Sequence, residues 1–489
     1  MHPNLSILKR PVFAALLATS TVGCMMGPDY TRPEIEVPTN WNAAHEQVPQ
    51  IDSAQIANLN WWEQFEDPEL SRLVRLAVEE NKDLKIATAR IDQFFALYGV
   101  SRAELFPRVD LDAGFTRYSS SENLDLPFTQ PQRNNFSIGP SLTWEVDFWG
   151  RIRRQNEAAW AELMAQESGR RAVILTLVSS VASAYLDLRQ LDRQLEISLQ
   201  TLKSRQESLT LAENRFNGGL VSELDVAQAK AELAITEVTI PQFEQQIALK
   251  ENEISFLLGQ NPGAIVRGRS IQSFALNADI PPGIPSEILE NRPDVTRAEQ
   301  DLISANASIG SAKAELFPRI GLTAFFGYES TELKDLFKSP SENWNFGPQL
   351  RLPIFNSGEL LDRVAATEAR RDEALYNYQR TIQQAFREVE DTLVSHRKTR
   401  EKREINVRLV AAYDRYLNLA QARYDEGQTA YIEVLDAQRN LFTSELNLAQ
   451  AQAEYLRSIV GIYGALGGGW IVEAEKFAPQ SQAISEIKS

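Results

Sequence analysis

The chain repeats itself. Ala103-Glu104-Leu105-Phe106-Pro107-Arg108 recurs as Ala314-Glu315-Leu316-Phe317-Pro318-Arg319, 211 positions later. Leu211-Ala212-x-x-Arg215-Phe216-x-x-Gly219 recurs as Leu419-Ala420-x-x-Arg423-Tyr424-x-x-Gly427, and Gly139-Pro140 as Gly347-Pro348, both 208 positions on. Three matches in one order mean a duplicated unit, so what one half folds into the other must fold into as well. The halves cover about 61–260 and 286–466, with a Pro/Gly-bearing connection over 261–285 and a tail over 467–489. Each is predicted to run helix, strand, strand, very long helix, return helix.

The first helix is expected over about Phe65 to Leu105, and its counterpart over about Pro285 to Leu316. Both should end at the Phe-Pro pair, because proline crowds the residue before it out of the helical region. Strands follow, at about 108–118 and 136–148 and again at about 319–329 and 344–354. Phe136, Ile138, Pro140, Leu142, Trp144, Val146 and Phe148 alternate with Ser137, Gly139, Ser141, Thr143, Glu145 and Asp147. Period-2 runs of this kind give a strand one apolar and one polar face. Two readings remain: a half-buried soluble hairpin, or tilted strands facing lipid on one side and water on the other. Four strands among so many helical residues cannot cover their own edges, which favours closure with further copies of the chain.

Gly150–Phe216 and Gly358–Tyr424 contain no proline, and each is 67 residues long. A continuous helix of that length extends roughly 100 Å at 1.5 Å per residue. Leu188, Leu191, Leu195, Leu202, Leu209, Ala212 and Phe216 fall at coiled-coil-like spacing, with polar breaks at Ser198 and Arg205. A helix this long projects as a rod or lines a tube, and periodicity does not separate a stalk from a tube. Return helices are expected over about 223–258 and 431–464. Between long and return helices lie the turns Asn217-Gly218-Gly219-Leu220 and Asp425-Glu426-Gly427-Gln428, where glycine tolerates the positive φ of a helix end.

Composition narrows the function. A formal charge of −16 and an isoelectric point near 4.9, with no basic block, exclude a nucleic-acid binder. The one cysteine, Cys24, forbids an internal disulfide. Lys9 and Arg10, then the apolar stretch Pro11 to Ala18, read as a signal peptide over 1–23, too short to span a bilayer of roughly 30 Å. Thr21-Val22-Gly23-Cys24 has the form of a lipoprotein cleavage box, against the plainer reading of a signal peptide with an incidental cysteine. Past the leader no transmembrane helix is predicted.

Asp225, Glu433 and Asp436 stand beside the turns, with Tyr424 just before the second, and Glu433 and Asp436 share a helix face. Carboxylates so spaced could be a catalytic pair or a solvated acidic face. No nucleophile or metal cluster accompanies them, and His2, His45 and His396 lie scattered, so neither an enzyme, a metal site nor a cofactor is expected.

Cys24-x-x-Gly27-Pro28-Asp29-Tyr30-x-Arg32-Pro33 resembles the mature start of the TolC-like outer-membrane efflux lipoproteins. So do Trp61-Trp62-x-x-Phe65-x-Asp67-Pro68-x-Leu70, Asn291-Arg292-Pro293-Asp294-Val295 and the ending Ala465-Leu466-Gly467-Gly468-Gly469-Trp470. The resemblance implies a mainly α chain with a membrane β-barrel. It implies a lipid-anchored homotrimer whose strands build one 12-stranded barrel in the outer membrane, continuous with an α-helical tube in the periplasm. Lipidation falls on Cys24, and Met25 after it favours the outer membrane. The tube would be a passive exit for drugs or other small molecules, opened at its periplasmic tip by an adaptor and supplied by an inner-membrane transporter. The lipobox and the Gly-Pro-Asp-Tyr start lean towards partners of the resistance-nodulation-division class. A type I protein-secretion duct, a metal exporter and, outside the family, a non-conducting coiled-coil lipoprotein scaffold are the alternatives.

By the same resemblance Asp225, Tyr424, Glu433 and Asp436 fall on gate positions, and the turns with Arg215, Gly218, Gly219, Arg423 and Gly427 on the adaptor-docking tips. The TolC branch carries an arginine where this chain has Thr429, so Arg215 or Arg423 is the expected source of the closing cation. Threefold symmetry would turn each acidic side chain into a ring that attracts cations.

Overall fold

The computed structural model describes residues 25–38, 41, 60–119, 121, 132–274, 291–468, 470–481 and 483. The expected leader, Cys24, His2, His45, Gly469 and the connection beyond residue 274 lie outside these residues.

A 3₁₀ turn, Trp61–Phe65, precedes α1 (Pro68–Glu80) and α2 (Lys82–Ala103). Then come β1 (Arg108–Ser119), β2 (Gln132–Val146), α3 (Arg151–Asn217) and α4 (Glu223–Leu257). The second half gives α5 (Pro293–Ala314), β3 (Arg319–Ser330), β4 (Glu342–Arg351), α6 (Glu359–Asp425), α7 (Tyr431–Leu466) and the short α8 (Trp470–Glu475). α3 and α6 are each 67 residues long.

The expected single helix from Phe65 to Leu105 is broken in two. Asn81 adopts an extended ψ of 134°, its Oδ1 accepts from Leu84 N at 3.0 Å, and its Nδ2 donates to Leu257 O at 2.9 Å. An asparagine that can cap a new helix and bond across to another one ends the first. The expected strands to 148 and 354 stop earlier, at Val146 and Arg351. Pro353 has no N–H to continue the ladder, and Phe148 N turns back onto Val146 O at 2.7 Å.

The chain divides into two compact units, neither of which is one half of the duplication. The first comprises Met1–Glu34, Ile91–Gln166 and Ala298–Tyr378; the second comprises Ile35–Arg90, Glu167–Arg297 and Gln379–Ser489. Each draws on both halves.

The first unit carries an antiparallel sheet of order β1-β2-β3-β4. Its register places Val109 opposite Leu142, Leu111 opposite Pro140, Leu142 opposite Ala324, Trp144 opposite Leu322, and Ala324 opposite Phe346. Directly opposed residues share a face, so the apolar positions of the four strands, Phe325 and Tyr118 apart, are gathered on one side. That side is bare: Leu111 is 72% exposed and Phe346 76%. The other side carries Asp110, Asp112, Ser141, Thr143, Glu329, Asn343 and Asn345. Below the sheet, Trp144 Nε1 donates to Leu105 O and Trp149 Nε1 to Pro318 O, both at 3.0 Å, so the two Phe-Pro corners are braced alike. Residues 26–32 lie as a strap: the nearly buried Arg154 donates to Met26 O at 3.0 Å and pairs with Asp29 at 2.7 Å. Tyr30 donates to Glu299 at 3.0 Å; burial, then the Glu299 charge, push its phenol well above the ordinary range.

The second unit holds the main core, in which Trp61 stacks on Tyr463 at 5.4 Å and meets Trp470 edge-on at 6.0 Å. The buried Asp67 caps α1 through Glu69 N at 2.9 Å and accepts from the Tyr185 hydroxyl at 2.9 Å. Arg292 binds Asp294 and Glu388, each at 2.7 Å; burial alone would depress the guanidinium, but these two partners hold it above its ordinary value. The Trp-Trp and Asn-Arg-Pro-Asp motifs are therefore packing and capping devices. α3 is apolar enough over 18 residues to qualify by composition as a membrane span. Its apolar side chains Ile174, Leu177, Val178 and Val181 are buried in this core.

Candidate functional site

The two helix reversals are built alike. Gly219 N donates to Phe216 O at 2.9 Å and Leu220 N to Arg215 O at 2.9 Å; 208 positions on, Gly427 N donates to Tyr424 O at 3.0 Å and Gln428 N to Arg423 O at 2.8 Å. This is the paired carbonyl capping that closes a helix on a left-handed residue. Gly219 and Gly427 supply it, with φ of +71° and +74°; Gly218 is not in the left-handed region.

Behind the turns, Ala212 of α3, Val226 and Ala229 of α4, Ala420 of α6 and Tyr431, Val434 and Leu435 of α7 form one buried cluster. Four helix ends therefore pack as a unit, and the polar side chains are arranged around it. Arg215 lies 5.0 Å above the Tyr424 ring and 3.7 Å from Asp425. Tyr424 in turn packs on Tyr431 at 5.1 Å. Burial pushes the Tyr431 phenol up. Arg423 stands 3.7 Å from Glu433. Of the two arginines expected to supply a cation, Arg215 thus reaches from the first hairpin to the second, while Arg423 pairs within its own.

Asp225 and Tyr424, expected in one closing network, are not hydrogen-bonded to each other. The Asp225 carboxylate accepts from Ser222 N at 2.9 Å and from the Ser222 hydroxyl at 2.8 Å, closing a capping box on α4. Asp436 pairs with Arg439 at 2.6 Å and accepts from Asn440 at 2.9 Å. Glu433, Asp436, Arg439, Gln228, Glu232 and Tyr416 line one shallow pocket between α4, α6 and α7. The surface is acidic, partly neutralised and open.

Sequence reasoning missed Asp425, which receives Arg215, and the depth of Arg205. Arg205 is 3% exposed in its side chain, pairs with Glu232 at 2.7 Å and lies 5.5 Å from the Phe442 ring. Burial lowers its guanidinium below the ordinary value. Its position as a polar break in an apolar helix register was the available signal. His396 contacts the Ser458 hydroxyl at 2.9 Å and stacks on Tyr455 at 5.2 Å, a packing role. Among the described residues no group of His, Cys, Asp and Glu could hold a metal ion.

The family model described as "Outer membrane efflux protein" matches residues 73–260 and again 284–468. The chain is 36% identical over 464 residues to the solvent efflux pump outer membrane protein SrpC of Pseudomonas putida, covering 94% of this chain and 98% of that protein. It is 35% identical over 471 residues to the outer membrane protein OprJ of Pseudomonas aeruginosa, covering 95% and 97%. The solved outer-membrane channel OprN superposes with a TM-score of 0.85 at 31% identity, over 92% of this chain and 100% of that one.

Proposed function

Because this chain belongs to the outer membrane efflux protein family, we propose that three copies close their sheets into one barrel and that the long helices continue it as a tube. The protein is an outer-membrane component of an efflux pump, as its relatives are.

One observation carries the finer reading. The sheet offers a broad, largely exposed apolar band on one face and two edge strands, β1 and β4, each with a single hydrogen-bonded neighbour among the described residues. In water an apolar face of this size and two open ladders invite aggregation. In a bilayer the apolar face is solvated by lipid, and the ladder must close because no water can satisfy its N–H and C=O groups. Four strands per chain give twelve in three copies, enough for a barrel with an open interior. The polar face then lines the lumen.

In this reading lipid on Cys24 anchors the chain just before the strap that Arg154 holds to the base of the sheet. The reversals at Gly219 and Gly427 are the periplasmic tip, where Asp225, Tyr424, Glu433 and Asp436 form the gate. There a periplasmic adaptor docks and a resistance-nodulation-division transporter delivers the cargo. The Arg215–Tyr424–Asp425 contact supports this, since it is a weak, exposed clasp between hairpins of the kind an adaptor can displace.

The test is the mass of the detergent-solubilised full chain by native mass spectrometry, followed by single cysteines placed along β1 and β4 for oxidative cross-linking. Three chains, with β1-to-β4 links between them, are expected. A monomer, or links only within one chain, contradicts the reading.

A further inference from the structure

The polar face of the sheet contains one anomaly. Phe325, opposite Ser141 on one side and Asn345 on the other, is the only all-hydrocarbon side chain of the described residues on that face. Its ring is not turned away into a core. A Cβ on Gly139 would come within 2.9 Å of the ring Cζ, and one on Gly327 within 2.8 Å, so the ring tip lies over two glycines. Covering glycine in this way helps to pin strand register, and the side chain stays half-buried rather than enclosed.

The carboxylates beside it are unequal. Asp110 is paired with Arg108 at 2.8 Å and Glu145 with Arg151 at 2.8 Å. Glu329 accepts from Asn135 at 2.7 Å and from Asn343 at 2.6 Å. Among the described residues Asp112 alone of these carboxylates has no cation or amide; there it accepts only from the Ser141 hydroxyl, at 2.5 Å. Asp112 stands directly opposite Gly139, the residue the ring tip covers, and such positions place their Cα atoms about 4.5–5.5 Å apart. A half-exposed aromatic ring and a carboxylate without a cation are thus neighbours among the described residues of this face.

We propose that Phe325 and Asp112 form a binding subsite for organic cations that carry an aromatic or apolar group. The ring stacks on the ligand or faces its cationic centre, and Asp112 supplies the opposing charge. The proposal rests on the reading that the polar face lines the lumen, where threefold repetition would set three such subsites around the path of the cargo. The ligand class follows from the two side chains: a metal ion has no use for the ring, and an anion is repelled by the carboxylate.

The test uses the full lipidated chain in planar bilayers, with benzyltrimethylammonium as probe, tetramethylammonium as the charge without the ring, and benzenesulfonate as the ring without the positive charge. Benzyltrimethylammonium is expected to block at the lowest concentration. Phe325→Leu, which still covers the glycines, raises its half-blocking concentration about two- to fivefold. Asp112→Asn, at an exposed position that keeps its acceptor, raises it similarly and abolishes the preference over benzenesulfonate. Equal block by all three probes, or no response to either substitution, overturns the subsite. A preparation that passes no current overturns the lumen reading and the subsite with it.

Discussion

The guanidinium of Arg215 lies 5.0 Å above the ring of Tyr424, joining the end of one long helix to the end of the other. Arg215 also stands 3.7 Å from Asp425. All three side chains are partly exposed, so the cation–π contact is worth about 0.5–1 kcal/mol and the ion pair at most about 1 kcal/mol. Arg215→Gln should therefore raise the basal conductance of the reconstituted protein several-fold. An unchanged closed-state current would remove the clasp from the account.

Tyr424 acts here through its ring, not its hydroxyl. Tyr424→Phe should leave basal conductance near the wild-type level, whereas Tyr424→Leu should raise it as Arg215→Gln does. The reverse order would mean that a hydroxyl bond closes the tip.

Asp225 caps its own helix. Asp225→Ala removes the capping box with Ser222 and should cost about 1 kcal/mol at the start of α4. Amide exchange at residues 223–227 should accelerate about fivefold, with the far end of α4 unaffected. Uniform exchange would refute a local capping role.

The Arg205–Glu232 pair is enclosed by α3, α4 and α7. Arg205→Ala leaves Glu232 buried without its counter-charge, which costs about 3–5 kcal/mol. The double change Arg205→Met with Glu232→Leu should recover most of that loss. Thermal unfolding of the three proteins gives the comparison; an Arg205→Ala variant as stable as wild type would show the pair to be solvated.

Glu445 is pushed above its ordinary pKa of 4.5, by burial first and then by the charge of Asp414. A carboxyl whose folded pKa is raised takes up its proton more readily when folded. Stability is therefore greatest below the unfolded value and falls as pH climbs through the window between the two. Glu445→Gln should raise the melting temperature at pH 7 and make no difference near pH 4. A gain of equal size at both pH values would point to packing instead.

Much of this was legible in the residues and some was not. The alternation of β1 to β4 is visible because side chains on a strand point to opposite faces in turn, and the register of Leu142 with Val109 and Ala324 then collects the apolar ones. The lengths of α3 and α6 are visible as absence of proline. The break at Asn81 was hidden because the apolar spacing continues through it, and only the bond to Leu257 O shows why the helix stops. The partner of Arg215 was hidden for a different reason: Asp425 lies 210 positions away, and sequence pattern reports local periodicity, not which exposed side chains meet.

The central claim is that copies of this chain enclose an aqueous path across the lipid. Single-channel recording of the purified, lipidated protein in planar bilayers tests it most directly. Discrete, long-lived, cation-selective current steps are expected, with the selectivity weakened by Asp436→Ala. A protein that inserts and yet leaves the bilayer silent, with Arg215→Gln equally silent, would mean that the sheets enclose nothing.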